Sequence, residues 1–461
     1  MELIIKNLDK KYGKGVHALN NVSLTIETGM FGLLGPNGAG KSSLMRTLAT
    51  LQYADSGSIT LGDVLPKKQN KKKKIFILLL LISNLAWSQN NKIQGVIKDS
   101  ETFQPIPYVS IYSEIELKNN STGSISNENG EFTIIINNKS KIVFSHINYE
   151  PFSIESDGNL KEILLKPKKY ILDEIVISNE KPKDYLKKII NLSKNKIDKN
   201  TLLKGYCREI VKVNNEYTKY SDALVDYYVK KDNGKSNLVL GQHRALKSNN
   251  LNNEDDKSIG NDNSPINVQD YVKNAYNFET IEKLIKSKDY EFERKIKKEA
   301  NGDGYEYIVI IPNEESDEML NKGYVIIDPK SKSILEFKIY TSENHLKNAK
   351  TINLLIAKAK RTKILVWSKF KIINSQYILT YYKKQVGMYI KMGKKVDHNF
   401  DFASDLFVFE FKNNVEIPDN GYSKKTLFEA GNSFTDNFWT KYNVFPLSEN
   451  EEKFINSIQQ K

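Results

Sequence analysis

One cysteine in 461 residues, Cys207, excludes an intrachain disulfide. Any exported part must therefore be stabilised by burial alone, which a large domain can achieve. Cys207 stands in Tyr206-Cys207-Arg208-Glu209 on a predicted strand with no base beside it, and it reads as a small buried residue, not a nucleophile. Histidine is scarce as well. His17, His146, His243, His345 and His398 lie far apart, and none begins an H-x-x-E or H-E-x-x-H arrangement, so neither zinc nor haem is expected. Long apolar runs are missing: residues 75–82 are eight uninterrupted apolar positions, against the roughly twenty that a bilayer-crossing helix needs. Charge of one sign is not concentrated either. Of the net +13, Lys67, Lys68 and Lys71 to Lys74 contribute six, residues 1–65 one, and the remaining six are diluted over nearly four hundred positions. A nucleic-acid footprint gathers on one face or stripe, so no nucleic-acid partner is expected.

What is present begins with Gly35-Pro36-Asn37-Gly38-Ala39-Gly40-Lys41-Ser42, which fits G-x-x-x-x-G-K-[ST]. In that loop backbone N–H groups cradle phosphates, the lysine neutralises β/γ-phosphate charge and the hydroxyl ligates Mg²⁺. Its context is right: Leu3–Ile5 and Val22–Ile26 read as short strands, Met30–Leu34 as a buried strand, and Lys41–Leu51 as a helix. With Ala18-Leu19-Asn20-Asn21-Val22-Ser23-Leu24 before it and Ser56-Gly57-Ser58-Ile59 after it, the segment resembles the opening of an ATP-binding cassette (ABC) ATPase. The resemblance implies that Tyr12 stacks on adenine, that Gly35 to Ser43 is the Walker A loop, that Ser42 would hold Mg²⁺, and that ATP is the cofactor. That family next requires a Q-loop glutamine, an LSGGQ signature, a Walker B acid and a switch histidine, and no such series follows residue 66. Hydrolysis is therefore not expected. A parallel core strand needs neighbours on both sides, and sixty-odd residues make a marginal fold alone.

Lys71-Lys72-Lys73-Lys74, the apolar residues 75–82 and Ala86-Trp87-Ser88-Gln89 follow the basic, apolar, small-residue order of a secretory signal. The alternative for the apolar run is a buried strand or a short core helix. A signal belongs at an N-terminus, so the chain reads as two unrelated pieces joined near residue 66. A lysine-coding, A-rich stretch also leaves open a join that arises from misread DNA and not in the cell.

Residues 93–172 alternate with period two between turn residues, which predicts a small β-sandwich. Lys92 to Asp99, Pro105 to Ile111, the tight turn Asn127-Glu128-Asn129-Gly130 into Glu131 to Ile134, and Ile142 to Ile147 follow the order of the carboxypeptidase regulatory-like domain, a transthyretin-like fold that this stretch resembles. Ile171-Leu172-Asp173-Glu174-Ile175-Val176-Ile177 resembles the segment that closes such a domain. Beyond Pro182 an amphipathic helix over Tyr185–Lys194 precedes strands over 204–213, 217–228, 238–241, 305–311, 323–327, 334–341, 363–372, 376–384 and 401–412. The Gly323–Ile334 hairpin is similar to those of lipoprotein-carrier sheets. Asn249–Asp262, nearly free of apolar residues, reads as a loop or disordered insertion, Asn301 to Gly304 as a turn, and the tail as a final helix packed on the sheet.

The expected architecture is multidomain and mostly β. A truncated α/β P-loop fragment (1–66) and a signal-like segment (67–89) precede a transthyretin-like sandwich (90–178) and a large antiparallel-sheet α+β domain (180–461). The expected role is that of a non-enzymatic exported binding or structural protein, periplasmic or outer-membrane-associated, whose partner is an unknown protein or an envelope component. The alternative is a cytoplasmic ATP-binding protein of ABC-transporter type. Beyond residue 180 the sequence shows no convergent polar constellation.

Overall fold

The computed structural model describes residues 2–12, 16–27, 33, 35, 39–49, 52–61, 91–113, 123–136, 141–155, 162–175, 179–230, 234–248, 264–299, 304–353, 357–373, 375–394, 396–433 and 446–459. It is mostly β, and the chain divides into two compact units, Met1–Gln89 and Asn90–Lys461.

In the first unit Leu3–Tyr12 (β1) is the central strand between Val16–Ile26 (β2) and Ser56–Leu61 (β3), both antiparallel to it. The two expected short strands are thus longer than their apolar stretches, and they continue past irregularities where Asn7 and Asn21 take left-handed conformations and the register shifts. Lys41–Leu48 (α1) follows, and Leu44 joins Ile5, Leu8 and Leu19 in a small core. Apart from Leu33, which packs on this core, the expected strand over Met30–Leu34 lies outside the described residues, as does the signal-like segment 67–89.

The second unit opens with the sandwich. Asn91–Asp99 (β4) lies between Glu131–Ile136 (β7) and Glu162–Leu165 (β10) in one sheet. Ser110–Ser113 (β5), Gly123–Ile125 (β6), Lys141–Ser145 (β8) and Phe152–Glu155 (β9) form the other, in the order β6-β5-β8-β9. Alternation fills the space between them with Ile93, Ile97, Ile111, Ile134 and Ile142, and the rings of Phe132 and Phe144 meet edge-on at 5.4 Å. The tight turn forms as expected. The Asn127 carboxamide oxygen accepts from the backbone N–H groups of Asn129 and Glu131, and Gly130 has φ 73° where an added Cβ would lie 2.5 Å from the Ile97 carbonyl.

Next comes a long antiparallel sheet. It comprises Tyr170–Ile175 (β11), Thr201–Val213 (β12), Glu216–Val229 (β13), Ser236–Lys247 (β14), Tyr290–Glu299 (β15), Gly304–Pro312 (β16), Asn321–Asp328 (β17), Ser333–Thr341 (β18), Thr351–Asn353 (β19), Lys358–Ile373 (β20), Gln376–Met392 (β21) and Val396–Lys412 (β22). Its order is β11-β15-β16-β17-β18-β20-β21-β22-β12-β13-β14, with β19 beside β20. β11, the stretch expected to close the sandwich, pairs with β15 of this sheet. Leu203, Cys207, Val325, Phe337 and Leu406 point to one face, which is covered by Pro182–Lys194 (α2), Tyr271–Tyr276 (α3) and Glu279–Lys286 (α4). Cys207 is buried there, and burial pushes its thiol well above its ordinary value. The sandwich and Glu449–Gln459 (α5) contribute to clusters on the other face, Tyr108 and Ile125 meeting Tyr206, Trp367 and Phe407, and Ile455 meeting Ile210 and Tyr220. The loop 249–263 and most of the turn at 301–304 lie outside the described residues.

Glu209 is buried on the helix-covered face, its carboxylate accepting from the Tyr271 hydroxyl (2.7 Å) and the Leu427 N–H (2.8 Å). Burial outweighs both bonds and pushes its carboxyl from 4.5 up to about 7. The folded protein therefore keeps a proton that the unfolded chain releases, and this group's stabilisation is lost as pH rises from about 4.5 through 7. The loss is on the order of 3 kcal/mol. Denaturant unfolding at several pH values is expected to show that decline in the wild type and a flatter profile in Glu209→Gln. Equal slopes would refute it.

Candidate functional site

In the first unit Gly40 takes φ 81° ahead of α1, and an added Cβ would meet the Ala18 carbonyl at 2.2 Å, so the chain can pass under β2 only as glycine. The Lys41 ammonium donates to the Gly35 carbonyl, folding the side chain back over the loop. Ser42 is exposed in the first turn, and that turn carries no acid. The Tyr12 hydroxyl donates to Gln52 Oε1 (2.6 Å) and lies 3.3 Å from Ser43 Oγ, which ties the ring beside the start of α1. The structure thus brings Tyr12, Gly35, Gly40, Lys41, Ser42 and Ser43 to one end of the helix, with Ala39 adjoining, while Pro36, Asn37 and Gly38 lie outside the described residues. The arrangement fits the phosphate end of a nucleotide: a cation, two hydroxyls and a helix N-terminus. Among the described residues no group of three His, Cys, Asp or Glu could hold a metal ion.

The second unit has what the sequence did not reveal. Register aligns Lys338, Trp367, Lys383, Asp405, Arg208, Asp222 and Arg244 in one transverse row across seven consecutive strands. The last five alternate in charge. Arg208 Nε donates to Asp405 (2.9 Å) and its Nη1 spans both Glu451 oxygens (3.0 Å each). Asp222 accepts from Arg244 (3.1 and 2.7 Å) and from the Tyr206 and Tyr220 hydroxyls (2.9 Å each). Lys383 reaches the sandwich, donating to Tyr108 and Glu128 at 3.2 Å.

Beside this row, between β5, β6 and β8 of the sandwich and β18 and β20 to β22 of the sheet, lies a cavity of about 650 Å³. Apolar walls come from Ile111, Ile147, Phe407 and Phe409. Lys369 donates to the Tyr108 carbonyl (3.0 Å), and the Lys371 ammonium stands 4.2 Å from the centre of the Tyr112 ring. Burial, helped by Lys369, pulls the Lys371 amine down to about 7. Burial and the two cations Lys369 and Lys168 pull His146 down to about 3, so its ring is neutral. Such a cavity has the size of a small-molecule site, and its lining mixes the apolar walls with hydroxyl and charged groups. Sequence inspection could find Lys369 and Lys371 only as alternate residues of one strand; nothing local shows that the sandwich roofs them.

Residues 19–105 match the ABC transporter family model, and residues 93–177 match the CarboxypepD_reg-like domain model. The two overlap at 93–105, which the structure builds into β4 and the turn after it. A phosphonates import ATP-binding protein of Rhodopseudomonas palustris is 42% identical over 98 residues, 19% of this chain and 35% of that protein. A glucose import ATP-binding protein of Saccharolobus solfataricus is 36% identical over 101 residues, 20% of this chain and 29% of its own. The chain thus spans about a third of the length of these relatives, and they match its N-terminal part. Among solved structures a DUF1329 family protein from Desulfovibrio piger aligns over 52% of this chain and 96% of its own at 10% identity, with a TM-score of 0.19, too low to carry an argument. No helix among the described residues is long and apolar enough to cross a membrane.

Proposed function

We propose that residues 90–461 are a non-enzymatic exported binding protein of the periplasm or outer membrane, and that the ABC-type segment is a vestige carried ahead of its signal. The observation that supports this most is the coincidence of two independent boundaries. The compact units divide between Gln89 and Asn90, and the signal-like segment ends at Ser88-Gln89. The second unit also builds its own cores and the cavity described above from its own described residues. A second reading, ATP binding by the full chain, is favoured by the family match and by the phosphate-compatible end of α1.

One experiment separates the two. Cell fractionation with N-terminal sequencing is expected to find a product beginning near Gln89 outside the cytoplasm. Replacing Leu79 with Asp and Leu80 with Lys, which interrupts the apolar run, is expected to abolish export. Unchanged export of the doubly substituted chain would remove the reading's main support. A full-length cytoplasmic protein that retains ATP, and loses it on Lys41→Ala, would establish the second.

A further inference from the structure

We infer that the cavity between the sandwich and the long sheet binds an apolar monocarboxylate, its carboxylate on the Lys371 ammonium and its body against Ile111, Phe407 and Phe409. The inference names a ligand class for the binding protein proposed above and rests on that reading only for its biological setting.

The charges around the cavity decide the ligand's polarity. Of its acids, Glu336 accepts from the Tyr324 hydroxyl and Trp367 Nε1 (2.8 Å each) with Lys369 at 3.9 Å, Glu410 pairs with Lys412 at 3.1 Å, and Asp328 accepts from the Ser331 N–H at 2.8 Å. Each is already partnered, and His146 is neutral. Lys371 is the exception: among the described residues its ammonium meets the Tyr112 ring face and makes no hydrogen bond or ion pair. A partly buried ammonium without a counter-ion is costly, and an anion entering the cavity would relieve that cost. The same partnered acids repel a second negative charge, so a monoanion suits the site better than a phosphate dianion. The walls settle the rest of the molecule. Ile147 and Phe409 line the cavity and are only half-buried, so apolar matter laid against them leaves water. A cavity near 650 Å³ falls within the usual span for small-molecule sites.

The test titrates the full chain with octanoate and with 1-octanol by calorimetry, two probes that share a tail and differ in the head. Octanoate is expected to bind about tenfold or more tightly than octanol, the contribution of one charge-assisted hydrogen bond. Lys371→Met, which keeps the stem and removes the charge, is expected to erase that preference while leaving octanol affinity unchanged, and Lys371→Arg to retain it. The wild-type comparison needs no variant and stands if Lys371→Met does not fold. Equal wild-type affinities, no octanoate binding, or a preference that survives in a folded Lys371→Met would each overturn the inference. None of these results bears on where the mature chain begins, so failure here is distinct from failure of the export reading.

Discussion

Replacing Arg208 with methionine is expected to destabilise the Asn90–Lys461 unit by about 3–5 kcal/mol, the range found when one partner of a buried ion pair is removed. Arg208 is 4% exposed, and methionine keeps its reach without its charge. Its loss leaves Glu451, 4% exposed on α5, without the guanidinium that spans both its oxygens, and leaves Asp405 with the Tyr381 hydroxyl and Lys383 at 3.7 Å. Burial pushes the Asp405 carboxyl up, but Lys383, Arg208 and the Tyr381 hydroxyl together hold it below its ordinary value. That group therefore contributes stability above the unfolded carboxylate value, lost as pH falls through the lower folded value, and the variant should lose stability to acid at higher pH than the wild type. Urea unfolding followed by tryptophan fluorescence gives the change as a shift in midpoint at constant slope. A loss under about 1 kcal/mol would mean that water reaches the row and screens it, as at an exposed pair. Adding Glu451→Leu to Arg208→Met should recover part of the loss, since the second substitution removes the stranded charge.

That row explains why the strands were legible and their chemistry was not. Helical spacing of apolar residues located the helix at Tyr185–Lys194, and richness in Tyr, Val and Ile located nine of the long sheet's strands, the Gly323–Ile334 hairpin among them, because those segments bury one face continuously. It missed β15, YEFERKIKKE, which is charged at seven of ten positions; its pairing with β11 and β16 holds it, and the apolar face of Tyr290 and Phe292 that joins the core is hidden among those charges. The short helices α3 and α4 were missed because they have only six and eight residues, below the window in which a helical period can be counted. Nothing beside Arg208, Asp222, Lys383 or Asp405 in the sequence marks it as buried. Only register, fixed by contacts between residues up to about two hundred positions apart, sets opposite charges side by side under a sandwich. The phosphate loop is the converse case. Its signature is local and was legible at once, yet a motif does not supply the neighbouring strands and acids that its chemistry needs.

Phe278→Ala is expected to cost about 3–5 kcal/mol and to loosen the helical cover of the sheet. Phe278 joins α3 to α4 at φ 52°, a left-handed conformation that disfavours a residue bearing a Cβ. The strain is offset by complete burial, since the ring is 0% exposed and lies 5.9 Å from the centre of Phe337 and 5.6 Å from that of Phe370. It thus plugs α3 and α4 onto β18 and β20 while its backbone turns the chain between them. Truncation removes the plug and leaves the strain. Glycine removes the plug too but takes a positive φ without penalty, so Phe278→Gly should be no less stable than Phe278→Ala, the opposite of the order inside a helix and the order usual at the N-cap position that Phe278 holds. Paired urea titrations of the two variants test both parts. A loss below about 1 kcal/mol in Phe278→Ala would show that the ring is not the anchor. Alanine clearly more stable than glycine would show that the left-handed turn does not survive without the ring, because only a position still held at positive φ rewards the absence of a Cβ.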